Sequence, residues 1–310
     1  WDARQYVALA EMAHGPIPHP VDWAYIWGDA LAEWERVQPD VKLINLETSI
    51  TQHDTPWPGK PVHYRMHPAN IPCLTVAGID CCTLANNHTL DWGRDGLLET
   101  LATLAQARLQ VAGAGPNQAT ASAPAVLAAE GQSRVIVLAY GSVTSGIPPQ
   151  WAATENRPGV QMISEWESAA VRGIGEQVRQ IKQAGDIVVA SIHWGGNWGF
   201  DVPPEQQAFA HRLIDEAGVD VVHGHSSHHV KGIEVYQDRP ILYGCGDFLT
   251  DYEGITGYEA FRGDLSLMYF LQLAPATGQL VSLQMAPMRM WRFQVRRASE
   301  QDARWLCDTL

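Results

Sequence analysis

A chain of 310 residues that is 46% hydrophobic can bury a substantial core, and its formal net charge of −13 comes with scattered Lys and Arg rather than a basic stripe. Disorder and nucleic-acid binding are thereby set aside, since a phosphate backbone needs clustered cations. No apolar run reaches the roughly 18 residues of a membrane span, and of the five cysteines Cys73, Cys81, Cys82 and Cys245 lie within or beside apolar stretches rather than in a regular CxxC pattern, so they read as buried thiols and favour a reducing, cytoplasmic setting. A removed upstream export signal or anchor would change that setting.

In chain order, near-continuous apolar runs predict strands at 41–45, 81–84, 110–112, 135–140, 187–193, 219–223 and 240–243. Helical periods separate them. Leu97, Leu98, Leu101 and Leu104 recur at three and four residues, as do Phe209, Leu213 and Ile214 with Ala210 and Ala217. Such alternation predicts a layered α/β fold with helices on the outer faces. Beyond Leu265 the pattern predicts antiparallel strands at 266–273, 280–285 and 290–295, then a helix capped by Ser299 with Asp302 three residues on. The expected organisation is one domain over 1–310, with a core at 41–250 and the C-terminal strands and helix at 265–310. The Pro-, Gly- and Trp-rich stretches 51–61 and 145–158 read as loops bordering a site.

Chemistry gathers at the strand ends, where open α/β sheets carry their sites. Leu43-Ile-Asn45-Leu-Glu47 ends the first run with an amide and a carboxylate. Taken alone, Glu47 is a solvated carboxylate; beside imidazoles it is a candidate metal ligand. Asn86-Asn87-His88 follows the next run, and Asp91 lies one turn later, a spacing that suits a carboxylate orienting an imidazole. An Asx turn explains one Asn and leaves His88 unexplained. His193 ends a third apolar run ahead of a Gly- and Trp-bearing loop; in isolation it would be a core histidine. His223, His225, His228 and His229 crowd seven residues at a fourth strand end, where neutral imidazoles are more easily buried as metal ligands than as free bases. Asp247 sits on a glycine-flanked turn, where it would support a metal ligand, face the substrate or be a plain turn residue.

Together Asn45-Leu-Glu47, Leu84-Ala-Asn-Asn-His88 with Asp91 and Gly93, His193-Trp-Gly195, Gly224-His225 with His228, Gly232-Ile-Glu-Val-Tyr236 and Gly246-Asp-Phe248 resemble the CapA family of capsule or poly-γ-glutamate biosynthesis proteins. That family is similar to the calcineurin-like metallophosphoesterases. The motifs run in consistent order from Val41 to Phe248. The resemblance implies a four-layer αββα sandwich, with Asn87, His193, His225, His228 and Glu47 as metal-binding residues and His88 as the catalytic histidine. Two departures stand out. The family's opening strand, whose Gly-Asp supplies a metal ligand, has no counterpart before Val41, so that strand is expected to be missing from this chain and the metal site incomplete. Where many relatives carry His-His-Pro-His this chain has His225-Ser226-Ser227-His228, which leaves open which of His223, His225, His228 and His229 bind metal.

The expectation is a metal-dependent hydrolase of capsule or poly-γ-glutamate biosynthesis, acting on a phosphoester or a γ-glutamyl or peptide bond with water activated by one or two divalent ions (Mn, Zn, Fe or Mg). His88 and Asp91 are its catalytic pair, with Glu47, Asn87, His193, His225, His228 and His223 as metal candidates and Asn86, Arg65, Lys60, Trp194 and Asp247 as substrate contacts. Expected partners are an anionic or peptidic substrate and capsule-synthesis proteins. Cα proton transfer on a peptide is the alternative chemistry. A non-catalytic polymer-binding role is the alternative class, since the twelve tryptophans offer stacking surface, Trp57, Trp92, Trp194 and Trp198 near the site loops among them.

Overall fold

A computed structural model describes residues 3–163 and 166–310 as a mixed α/β fold with several sheets. The first half carries α1 (Ala3–His14), α2 (Ala30–Val37), β1 (Leu43–Asn45), β2 (Cys81–Thr83), α3 (Gly93–Gln106), β3 (Gln110–Ala112), β4 (Ala125–Ala128), β5 (Arg134–Ser142) and β6 (Met162–Ile163). Then come α4 (Ser168–Ile181), β7 (Ile187–His193), α5 (Pro204–Asp215), β8 (Val221–His225), β9 (Ile233–Tyr236) and β10 (Arg239–Leu242). The chain closes with β11 (Leu265–Ala274), β12 (Gln279–Trp291), β13 (Gln294–Arg297) and α6 (Glu300–Thr309). Among these are the seven strands predicted in the first 243 residues, their ends moved by at most two residues.

A small parallel sheet runs in the order β1-β2-β3. A larger sheet runs β6-β5-β7-β8-β10-β9, parallel except for β9, with β4 antiparallel on β5. Strand alternation decides what each face meets. Val135, Val137, Ile187, Val189 and Val221 turn inwards to a core shared with Cys81, Cys82, Ala112 and Leu97. Their neighbours Ile136, Leu138, Val188, Ala190, Ile192 and Val222 turn outwards, where Val171, Ile174 and Val178 of α4 and Phe209 and Leu213 of α5 cover them. Parallel strands buried on both faces explain the continuous apolar runs. The periodicity of α3 is less complete than expected: Leu97 and Leu104 are buried, while Leu98 is exposed.

The C-terminal strands form an antiparallel sheet β11-β12-β13. Two boundaries differ from expectation, the first being that the strand expected at 280–285 runs on unbroken to Trp291. The segment 290–295 is a hairpin rather than a strand, with Met290 paired to Val295 across a turn at Arg292 and Phe293, both at φ +54°. Neither residue favours that region unaided. Glu253 holds the turn by accepting from both amides, at 2.6 and 2.8 Å, a tertiary contact that local sequence cannot announce. Ser299 caps α6 as predicted, its hydroxyl accepting from the Asp302 amide at 3.2 Å. Cys73, Cys81 and Cys82 are buried free thiols, Cys245 is half-buried and Cys307 exposed. Among the described residues no helix is long and apolar enough to cross a membrane.

At the amino ends of β5 and β7, away from the chemistry, Arg134 donates from Nε and Nη2 to Asp186 at 2.9 and 2.5 Å, and the Gln183 amide adds a bond of 2.7 Å. The Arg134 hydrogen bonds hold the Asp186 carboxyl below its ordinary range. A depressed carboxyl stabilises the fold above its unfolded pKa of about 3.9, and that contribution fades as pH falls through the folded value. Asp186→Asn is therefore expected to be less stable than the parent at neutral pH, with urea midpoints converging as pH falls through the lowered folded value. A gap independent of pH would assign the loss to packing.

Candidate metal-binding and catalytic site

Four strand ends build the site. Parallel pairing sets Ser191 opposite His223 and His193 opposite His225, and alternation keeps all four on the inward face that carries Val189 and Val221. The Nδ1 atoms of His193 and His225 lie 2.7 Å apart. His193 Nε2 is 3.2 Å from Asn87 Oδ1 and 3.8 Å from Glu47 Oε1. Ser191 Oγ sits 2.9 Å from His225 Nε2, 3.0 Å from His223 Nδ1 and 3.2 Å from Thr83 Oγ1, joining the two sheets. Burial drives His193 and His225 well below the usual histidine range and brings His223 to about 4. All three rings are therefore neutral at pH 7, the form in which imidazole can ligate.

The small sheet supplies the opposing wall. Asn45 Nδ2 donates to Glu47 Oε2 at 3.0 Å and so orients the carboxylate. Burial, followed by the nearby charge of Asp247, pushes the Glu47 carboxyl up to about 8. Asn86 is fully buried and committed to the scaffold. It donates to Asn45 Oδ1 at 3.0 Å and to the Leu46 carbonyl at 2.9 Å, while its Oδ1 accepts from the His88 amide at 3.1 Å. The expectation that Asn86 contacts substrate is thus corrected: it ties the β1 and β2 ends together and sets the turn that presents Asn87 and His88.

His88 Nδ1 donates to Asp91 Oδ2 at 2.6 Å, which leaves Nε2 as the nitrogen available to a substrate. Asp91 Oδ2 also accepts from the Tyr64 amide at 2.6 Å. Lys60 donates to Asp91 Oδ1 and, at 2.5 Å, to the Asn87 carbonyl, with Nζ 3.0 Å from His88 Nδ1. Burial lowers the pKa of Lys60 in spite of Asp91, and lowers that of His88 against the same carboxylate. Lys60 therefore differs from its expected role as a substrate cation. An ammonium has three donors, and here they serve Asp91 and the Asn87 backbone.

The fourth group comes from the loops after β8 and β10. Gly246, at φ +74°, turns the chain so that Asp247 accepts from His228 Nδ1 at 2.9 and 3.1 Å. Burial works against charging His228, yet the hydrogen bond and charge of Asp247 outweigh it and raise its pKa. His229 points elsewhere. Its Nδ1 donates to the Val230 carbonyl at 2.9 Å, and its ring packs against Phe200 and Phe261.

These walls enclose a cleft of about 1650 Å³ lined by Glu47, Tyr64, Arg65, His88, His223, His225, His228, Asp247 and Tyr252, among others. Arg65 lies at its rim, stacked 4.0 Å over Trp92. Trp194 does not line it. That side chain is 2% exposed and packs among Trp166, Phe209 and Tyr243, with Nε1 donating to the Tyr243 carbonyl at 3.0 Å. It follows His193 on the opposite strand face, so it is a core residue rather than a substrate contact. Among the described residues no three His, Cys, Asp or Glu side chains stand as a preformed metal cluster; the approaches are pairwise, with Asn87 and Ser191 between them. Sequence reasoning missed Ser191, Tyr64 and Tyr252. Only Ser191 had a visible signal, its place two residues before His193 on the same face.

A family model described as bacterial capsule synthesis protein PGA_cap matches residues 3–252. The chain belongs to that family. Its similarity to a probable polyglutamine synthesis accessory protein of Mycobacterium tuberculosis is 50% identity over 310 residues, all of this chain and 81% of the relative. The PGA biosynthesis protein CapA of Bacillus subtilis is 27% identical over 229 residues, 74% of this chain and 57% of the relative. The capsule biosynthesis protein CapA of Bacillus anthracis is 29% identical over 192 residues, 62% and 45% respectively. A solved structure at 15% identity and a TM-score of 0.36 covers 58% of this chain and 63% of its own, too remote a likeness to argue from. The PGA_cap match spans every site element from Glu47 to Asp247.

Proposed function

We propose that this PGA_cap protein is a metal-dependent enzyme of capsule or poly-γ-glutamate biosynthesis, a hydrolase of γ-glutamyl or phosphoester bonds built on a calcineurin-like four-layer αββα sandwich. The observation that carries the reading is the convergence of Asn87, His193, His225 and Glu47, through steps of 2.7 to 3.8 Å, beside the His88–Asp91 pair. The donor set fits a divalent ion, of the Mn, Zn, Fe or Mg kind. Its imidazoles are held neutral, and burial with the charge of Asp247 pushes the Glu47 carboxyl up to about 8 against the opposing charges of His228 and Lys60, an environment that a bound cation would relieve. Glu47 and Asn87 with His193 Nε2 would hold one ion, and His225, against His193 Nδ1, with His228 and His223 would be further donors. A cation bound there supplies Lewis acidity, polarising a substrate oxygen and easing deprotonation of water.

The chain's own residues do the rest. Asp91 holds the His88 tautomer with Nε2 unprotonated, ready to take a proton or, once charged, to give one to a leaving group. Lys60 neutralises Asp91, so this carboxylate orients His88 without fully claiming its proton. Arg65 at the rim suits an anionic substrate, against the protein's overall negative charge.

The test is incubation of γ-glutamyl oligomers and an aryl phosphodiester with cation-replete protein in heavy water. Chain shortening or ester cleavage marks hydrolysis, whereas deuterium at Cα without shortening marks proton transfer. His88→Asn is expected to lower turnover by about 10²- to 10⁴-fold while cation content stays level. A second reading, a non-catalytic accessory role in polymer synthesis, is favoured by the name of the Mycobacterium tuberculosis relative. Absence of all three reactions in cation-replete protein would move the assignment there.

A further inference from the structure

Tyr252 lines the cleft together with Glu47, His88, His228 and Asp247, yet no motif in the sequence marks it. Its ring stands edge-on to His228, with centroids 5.2 Å apart and planes at 75°. Tyr64 packs on the other imidazole, 4.6 Å from His88. The two phenols meet at 3.0 Å, Tyr64 donating to Tyr252. A phenol has one proton to give and two lone pairs to accept with, so this bond occupies Tyr252 as an acceptor and leaves its own proton for another partner. Accepting also polarises its O–H.

The loop that carries Tyr252 is pinned. Glu253 accepts from the Arg292 and Phe293 amides and from His14 Nδ1. Gly254, at φ +83°, lies so close to α1 that a Cβ there would sit 2.5 Å from the Leu9 carbonyl oxygen. The hydroxyl is thus held in place before any ligand arrives, which is what makes a donor effective at a reacting oxygen.

We propose that the Tyr252 hydroxyl donates a hydrogen bond to an anionic oxygen of the substrate, carboxylate or phosphoryl, bound between His88 and His228. This role rests on the functional reading above and adds a substrate contact to it.

Calorimetric titration of a γ-glutamyl tetramer and, separately, of inorganic phosphate into the protein with manganese present tests it without relying on turnover. Tyr252→Phe keeps the ring and removes the donor, so affinity for the oxygen ligand is expected to fall about tenfold or more, with thermal midpoint and metal content unchanged. Tyr64→Phe removes the polarising bond, together with the 3.4 Å contact to the Tyr6 hydroxyl, and is expected to cost less. The probe whose affinity drops identifies the kind of oxygen. Equal affinities of Tyr252→Phe and parent would overturn the role, as would matched losses in both variants accompanied by lowered thermal midpoints, which would assign the pair to packing. A parent protein that binds neither probe rejects the functional reading itself, and this role with it.

Discussion

His225→Ala is expected to lose divalent cation uptake altogether, read as metal content by elemental mass spectrometry after loading and dialysis. Losing a group that supports a metal ligand costs about 10- to 100-fold in affinity, and His225→Ala removes a candidate donor besides, one that holds His193 Nδ1 through one ring nitrogen and Ser191 through the other. The parent should also release a proton on loading. With no cation the Glu47 carboxyl, pushed up to about 8, carries its proton at pH 7, and a cation displaces it, giving roughly one proton per chain in weakly buffered solution. His225→Ala should show neither event, and its turnover should fall below that of His88→Asn, which keeps the donors. Full metal content in the variant would remove His225 from the ligand set and count against the proposed centre.

Gly224→Ala is expected to be the most damaging single methyl in the sheet. Gly224 lies between His223 and His225 on β8. A Cβ there would stand 2.5 Å from the Tyr243 carbonyl oxygen, 2.6 Å from that of Leu242 and 2.6 Å from Trp194 Nε1. Two of those atoms are backbone flanking a paired strand, so relief requires β8 to move against β10 and β7, and with it the His193–His225 register. The expected loss is about 3 kcal/mol or more, measured as a shift in urea midpoint. Gly196→Ala is the control, in the loop after His193 with nothing within 4 Å of its added Cβ, and is expected to stay within about 0.5 kcal/mol. Equal midpoints for the two variants would mean that β8 has slack the geometry does not reveal.

The strands and the site lay at different depths of legibility. Runs such as 187–193 are readable because a parallel strand covered on both faces must be mostly apolar, whatever its neighbours, and here only Ser191 and His193 break the run. His88 with Asp91 is readable because a spacing of three residues suffices to bring an imidazole to a carboxylate. Trp194 and Lys60 were misread for one reason. Nearness in sequence to a site says nothing about which face a side chain takes or how many of its donors are already engaged. Alternation in β7 sends His193 inwards and Trp194 outwards, a deduction available from the strand alone; the bonds of Lys60 to the Asn87 carbonyl and to Asp91 come from residues 27 and 31 positions away and were not. The 290–295 segment has strand-like composition, and only Glu253, from another loop, turns it into a hairpin.

By itself, then, the sequence determined the α/β class, the strand ends that carry Asn and His, and membership of the capsule-synthesis family, because each depends on local pattern: continuous apolar runs, fixed motif spacing and order along the chain. Tertiary structure alone decided which of the candidates meet. The register of β7 on β8 put His193 against His225, the approach of the two sheets brought Asn87 and Glu47 to them, and the anchoring of Glu253 by α1 and the β12–β13 turn set Tyr252 beside His228. Such pairings join residues as many as 146 to 239 positions apart, and at that separation no local preference acts; only packing of the finished sheets selects the partner.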